Sequence, residues 1–286
     1  MNFNFNKIQY KMKQFIFLSI LFVFYNCETE VDVSNLLNQE QLLIINGYLS
    51  PQDTVLKVQV SKSLSIANKD INTDNLIVKD ASVSITSEDG STVSLDYSLQ
   101  NKNYEKDVTS DFSIVAGKKY FLEVQVDNQK YNATCEIPLN TIENINFELD
   151  DDIKYDRQDI NISFDDIKNE PNNYIVRSLK TGAARDEDWN VMGVDFIRDI
   201  NRENQPITLS YKKKIPTNAD KEIFISINIL NAEKIMYDQL SALSKNSTNE
   251  DDIFYTDIIA PSNIQGNNVY GVFAGYQRAI INKKVK

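Results

Sequence analysis

A mainly β protein is expected, with a sandwich followed by a second β-rich part that carries one amphipathic helix. Three observations lead there. Short runs of alternating polar and apolar residues recur from residue 42 onward, polar turn residues separate them, and helical spacing of apolar residues takes over in one place only. With 286 residues, 42% apolar and 25% charged, the chain is long enough to bury a sizeable core.

The N-terminus comes first. Lys7, Lys11 and Lys13 precede an apolar run from Phe15 to Tyr25. Such a run reaches only about 16 Å as a helix, half of a bilayer's hydrocarbon core. It therefore fits the apolar region of a signal peptide over residues 1–26. Met12-Lys13-Gln14 would itself open a signal of ordinary length. Cys27 follows directly, where a bacterial lipoprotein carries the thiol that accepts a diacylglycerol, so Cys27 is the expected lipidation site and membrane anchor. Residues 27–40 read as an acidic tether. Its Glu28, Glu30 and Asp32 resemble the surface-export signal of Bacteroidota lipoproteins, which implies an outer-membrane protein facing the cell exterior.

Residues 41–138 form the expected sandwich. Leu42 to Leu49 is a buried-strand run ended by Ser50-Pro51, and Leu56, Val58 and Val60 alternate with Lys57, Gln59 and Ser61. Ser82 to Thr86 turns through Glu88-Asp89-Gly90-Ser91 into Thr92 to Leu95, as a tight hairpin requires. Tyr120 to Val126 turns at Asp127-Asn128 into Gln129 to Cys135, and Ile137-Pro138 closes the unit. Cys135 falls in a strand and is expected to be an inert core residue.

Residues 139–286 form the second β-rich part. Asn144 to Leu149, Asp159 to Phe164, Asn173 to Leu179 and Glu222 to Leu230 read as strands. Ala232, Ile235, Met236, Leu240 and Leu243 then fall at helical spacing, which predicts a helix near 232–245 with Asn231 as its cap. Residues 68–75 and 181–188 are polar and rich in breakers.

Composition excludes several functions. There is no His, so mechanisms with an imidazole base and His-ligated metal sites are ruled out. The net charge is -11, and -14 once residues 1–26 are removed, so no nucleic-acid partner is expected. Two Cys cannot build a disulfide framework.

Specific chemistry has few candidates. Acidic clusters at Asp150-Asp151-Asp152, Asp165-Asp166, Asp186-Glu187-Asp188 and Glu250-Asp251-Asp252 lack the spacing of a calcium loop and read as solvated loops, so no metal site is expected. No phosphate-binding glycine motif is present; Gly266, Gly271 and Gly275 read as backbone geometry. No catalytic residues and no cofactor are expected, and the chain is not read as an enzyme. Tyr97, Tyr104, Tyr270 and Tyr276 are either a ligand-stacking platform or cross-strand packing. Trp189 sits in a polar loop, as a partner anchor or folded onto the core. Trp189, Tyr270 and Tyr276 are the candidate partner contacts. Asp53-Thr54-Val55 resembles the short O-glycosylation acceptor of Bacteroidota.

Several segments together carry a family resemblance. They are Cys27 followed by acids, Leu43 to Leu49, Ala81 to Ile85, Gly117 to Leu122 and Cys135-Glu136-Ile137-Pro138. Near the end come Pro261 to Gly266 and Val269 to Tyr276. In this order they resemble the Bacteroidota lipoprotein family with domain of unknown function 4249 (DUF4249). The resemblance implies that the N-terminal sandwich is immunoglobulin-like. It also implies a noncatalytic accessory or binding role beside a TonB-dependent outer-membrane receptor in nutrient uptake. A surface adhesin or envelope structural module that binds glycan or protein is the alternative.

Overall fold

The computed structural model describes residues 41–64, 72–152, 157–181, 190–200, 205–213, 223–248 and 256–284. The signal segment, Cys27, Glu28, Glu30, Asp32 and Trp189 lie outside them, as do the acidic clusters at 186–188 and 250–252.

Fourteen strands run through the described residues. Seven precede residue 138: β1 (Leu43–Leu49), β2 (Val55–Lys62), β3 (Ser82–Ser87), β4 (Thr92–Ser98), β5 (Asn103–Asp107), β6 (Lys119–Val126) and β7 (Gln129–Glu136). Seven follow: β8 (Asn146–Asp152), β9 (Arg157–Phe164), β10 (Asn173–Thr181), β11 (Asn190–Arg198), β12 (Ile207–Lys213), β13 (Phe224–Ala232) and β14 (Val269–Lys284). One α-helix, α1 (Lys234–Thr248), lies between the last two. Among the described residues, the mainly β class with one α-helix is therefore observed.

Eleven strands hydrogen-bond in the order β11-β10-β13-β14-β1-β2-β5-β4-β3-β6-β7, and three more in the order β12-β9-β8. The large sheet is mixed, because β14 runs parallel to β1 but antiparallel to β13. Val269 to Gly275 pair with β1 and Tyr276 to Lys284 pair with β13. One long strand thus joins pairings from both ends of the chain.

Alternation decides where the apolar groups go. Ile45, Val58, Ile85, Tyr104, Leu122 and Val124 point into the first core, with Phe273 of β14 among them. Ile160, Ile162, Phe164, Tyr174, Ile225 and Ile227 build a second. A third cluster joins Val272 and Ala274, on the opposite face of β14 from Phe273, to Met236 and Tyr237 of α1. The closeness of β14 to its neighbours requires glycine. A Cβ on Gly271, at φ +135°, would lie 1.9 Å from the Ile45 carbonyl oxygen. One on Gly275 would lie 2.5 Å from that of Glu136.

Residues 260–266 stitch β7 to β14. The Asn263 amide donates to the carbonyls of Thr134 (3.2 Å) and Phe273 (2.7 Å), and its oxygen accepts from the Phe273 N–H (2.9 Å). Gln265 exchanges backbone hydrogen bonds with Asn132. Cys135 is buried in β7, and burial pushes its thiol pKa well up.

The helix departs from the sequence-based expectation at its start. Asn231 and Ala232 are held in β13 by pairing with Gln277 and Tyr276, so α1 begins at Lys234 and runs to Thr248. Asn231 does not cap it; its side chain donates to the Asn140 carbonyl (3.3 Å). The Glu233 carbonyl accepts the first turn's N–H, from Tyr237 (3.1 Å). The Glu233 carboxylate instead accepts from the Glu136 (2.9 Å) and Gly275 (2.6 Å) amides, pinning β7 to β14. Burial raises its pKa while these two bonds pull it back. Leu243, expected on the apolar face, is half-exposed. Strands β5, β11 and β12 go beyond those the sequence pattern predicts.

Candidate functional site

The outer face of β1, β2 and β5 is the side turned away from the first core, and it carries a polar groove of about 650 Å³. Its floor follows from register. Ile45, Val58 and Tyr104 point inward and are buried, so Asn46, Gln59 and Asn103 point outward. Asn46 pairs with Gln59 across β1 and β2. Val58 pairs with Tyr104 across β2 and β5, which sets Gln59 beside Asn103. Three carboxamides therefore form a row across three adjacent strands, spaced by the roughly 4.8 Å between strands. Lys57 lies two positions from Gln59 along β2, opposite Glu105.

Two tyrosines stand on the β1 and β14 side of the floor. The Tyr48 hydroxyl donates to the Gln239 side chain of α1 (2.7 Å), and burial raises its pKa to about 12. Gln239 also donates to Asn46 (3.4 Å), whose oxygen accepts from the Val272 N–H (3.2 Å). The helix thus fixes one side of the groove. Tyr276, on β14 next to β1, packs against the same third cluster as Tyr48, and its hydroxyl is shared between the two carboxylate oxygens of Asp53 (2.9 and 3.0 Å). Arg278 Nη2 lies 3.5 Å from the same carboxylate and donates to the Gln52 carbonyl (3.1 Å). Burial raises the Asp53 pKa, and the Tyr276 and Arg278 contacts partly offset this. This network locks the turn between β1 and β2 onto β14.

Of the residues expected from sequence, Tyr276 is in the groove and Tyr270 is not. Tyr270 shares the strand face but lies six positions away, with its hydroxyl on the Ala260 carbonyl. Tyr97 and Tyr104 are cross-strand packing: their rings meet edge to face at 5.4 Å. The Tyr104 hydroxyl donates to the Val78 carbonyl (3.1 Å) and accepts from the Ala81 N–H (2.7 Å). Thr54 is exposed at the groove rim. Asp165 accepts from Asn144 (2.7 Å) and the buried Asp166 from Tyr174 (2.8 Å), so this acidic pair is engaged locally. Among the described residues, no three His, Cys, Asp or Glu side chains gather to hold a metal ion.

Sequence reasoning missed Asn46, Lys57, Gln59, Asn103, Asp53 and Arg278 as one constellation. Strand alternation puts Lys57 and Gln59 outward, but their meeting with residues 103 and 276–278 depends on strand order.

The family profile described as "Domain of unknown function (DUF4249)" matches residues 27–280. The chain belongs to the DUF4249 family. No curated protein matches the sequence. Among solved structures, it is similar to a DUF3823 family protein from Parabacteroides merdae ATCC 43184, with 11% identity and a TM-score of 0.23. That likeness covers 67% of this chain and 92% of the other. The DUF4249 match begins at Cys27 and ends at Ile280, four residues before the end of β14. Every groove residue named above therefore lies within the DUF4249 domain.

Proposed function

We propose that this DUF4249 protein is an outer-membrane lipoprotein, anchored by lipid on Cys27 and facing the cell exterior. It acts there as a noncatalytic binding subunit of a TonB-dependent receptor in nutrient uptake. The observation that carries the proposal is the coincidence at residue 27: an apolar segment too short to span a bilayer ends next to a cysteine, and the family match starts on that cysteine. Glu28, Glu30 and Asp32 supply the surface-export pattern. The groove supports binding over catalysis, because its one lining carboxylate, Asp53, is committed to Tyr276 and Arg278. A carboxylate clamped in this way holds a turn in place; a general acid or base must face the substrate.

Mild-detergent extraction from the native bacterium, followed by affinity capture of the intact protein, tests the reading. A TonB-dependent receptor should copurify, and mass spectrometry should find Cys27 acylated. An unmodified Cys27 on protein that washes free of membranes refutes the anchor. Acylated protein recovered without any receptor refutes the partnership.

A further inference from the structure

We infer that the groove over β1, β2 and β5 binds a neutral saccharide, recognised by the carboxamide row Asn46, Gln59 and Asn103. The inference rests on the groove being where the proposed subunit meets its ligand, and it names the class of that ligand.

Hydrogen-bonding capacity comes first. A sugar hydroxyl both donates and accepts, and a carboxamide does the same, whereas an ammonium or carboxylate does only one. Five of the groove's lining side chains are carboxamides; Gln52, the Asn101 amide nitrogen and the Asn46 oxygen are already hydrogen-bonded within the protein. Gln59 is exposed and its side chain makes no hydrogen bond to another described residue, so its amide is available. The volume suits a small polar ligand.

Charge is the second argument. The groove is lined by three cations and one carboxylate. Lys102 is paired with Asp74 (2.5 Å) and Arg278 with Asp53 (3.5 Å), so two of the three cations are already engaged. Lys57 alone faces the groove without an ion pair among the described residues, which disfavours a cationic ligand and leaves an anionic one a single cation to meet.

The third argument separates a saccharide from a peptide. β1 is hydrogen-bonded on both sides, to β14 and β2, and so is β2, to β1 and β5. The floor therefore offers no free strand edge for an extended peptide to join. Val55 is the lone aliphatic side chain lining the groove, too little for the apolar anchors of a peptide.

The test uses the intact lipoprotein in mild detergent. It is screened against neutral gluco-, manno-, galacto- and xylo-oligosaccharides, with uronate-bearing and sulfated glycans and a peptide library alongside. The best neutral binder is then titrated calorimetrically against wild type and Gln59→Ala. Gln59 is exposed, so an unchanged melting temperature is expected and confirms folding. Binding of a neutral oligosaccharide should weaken roughly tenfold in Gln59→Ala. In wild type it should hold steady between about 0.05 and 0.5 M salt. The inference is overturned if no neutral glycan binds, if only anionic glycans or peptides bind, or if Gln59→Ala leaves affinity unchanged. Receptor copurification without saccharide binding sinks this inference alone. Saccharide binding without a receptor sinks only the proposed partnership.

Discussion

Replacing Gly271 by Ala should cost about 3–6 kcal/mol of folding free energy, and the structure shows where the cost arises. The new Cβ would lie 1.9 Å from the Ile45 carbonyl oxygen and 2.9 Å from the Ile45 nitrogen. Relieving this to an ordinary contact requires β1 and β14 to separate locally by about 1.5 Å, which breaks ladder hydrogen bonds. Losing two or three of them costs about 1 kcal/mol each. The backbone at φ +135° adds about 1–3 kcal/mol for any residue with a Cβ. Gly90 supplies the control. It also has a positive φ (+92°), but a Cβ added there would meet nothing within 4 Å, so Gly90→Ala should cost only about 1–2 kcal/mol. Urea unfolding of both variants and wild type reads the difference, and in thermal melts Gly271→Ala should fall by about 10 °C. Equal losses at the two positions would refute the claim that close approach of β14 to β1 dominates.

Two further outcomes follow from buried titratable groups. The raised pKa of Asp53 means that the unfolded chain ionises first as pH climbs above 3.8, so this group's contribution to stability falls with rising pH. The stability of wild type relative to Asp53→Asn should therefore decline as pH rises above 3.8, measured by denaturant unfolding; a relative increase contradicts the assignment. Cys135 should resist alkylation by iodoacetamide at pH 8 in the folded protein and react once urea unfolds it, because burial keeps its thiol protonated and covered. Labelling in native buffer at the rate of a free thiol would show that β7 opens readily.

Much of the fold is legible where neighbours in sequence are neighbours in space. The β6–β7 hairpin turns at Asp127, which adopts φ +52°, and the β3–β4 hairpin turns at Gly90. Both sit between alternating runs, so local chemistry declares them. β5 escapes because Asn103 to Asp107 holds a single apolar residue, Tyr104, whose burial depends on partners brought from elsewhere. The start of α1 is misplaced by helical spacing because the pairing of Asn231 and Ala232 with Gln277 and Tyr276 outweighs it. The parallel pairing of β1 with β14 cannot be read at all. Ile45 and Gly271 lie near opposite ends of the described chain, and no local pattern encodes their meeting.

That long-range pairing also explains why the candidate site is hidden in the sequence. Asn46 and Gln59 come from the start of the described chain, Asn103 from a strand placed beside them by sheet order, and Tyr276 and Arg278 from its end. β14 brings the last two into place by using its faces differently: Phe273 enters the first core while Val272 and Ala274 meet α1. The glycines at 271 and 275 let the strand lie close enough for both. The groove therefore depends on β14 docking, whereas the fold does not depend on the outward amide of Gln59. Gly271→Ala should lose stability and ligand binding together, and Gln59→Ala should lose binding alone. If Gly271→Ala kept full affinity while losing stability, the ligand would have to sit away from the wall that β14 provides.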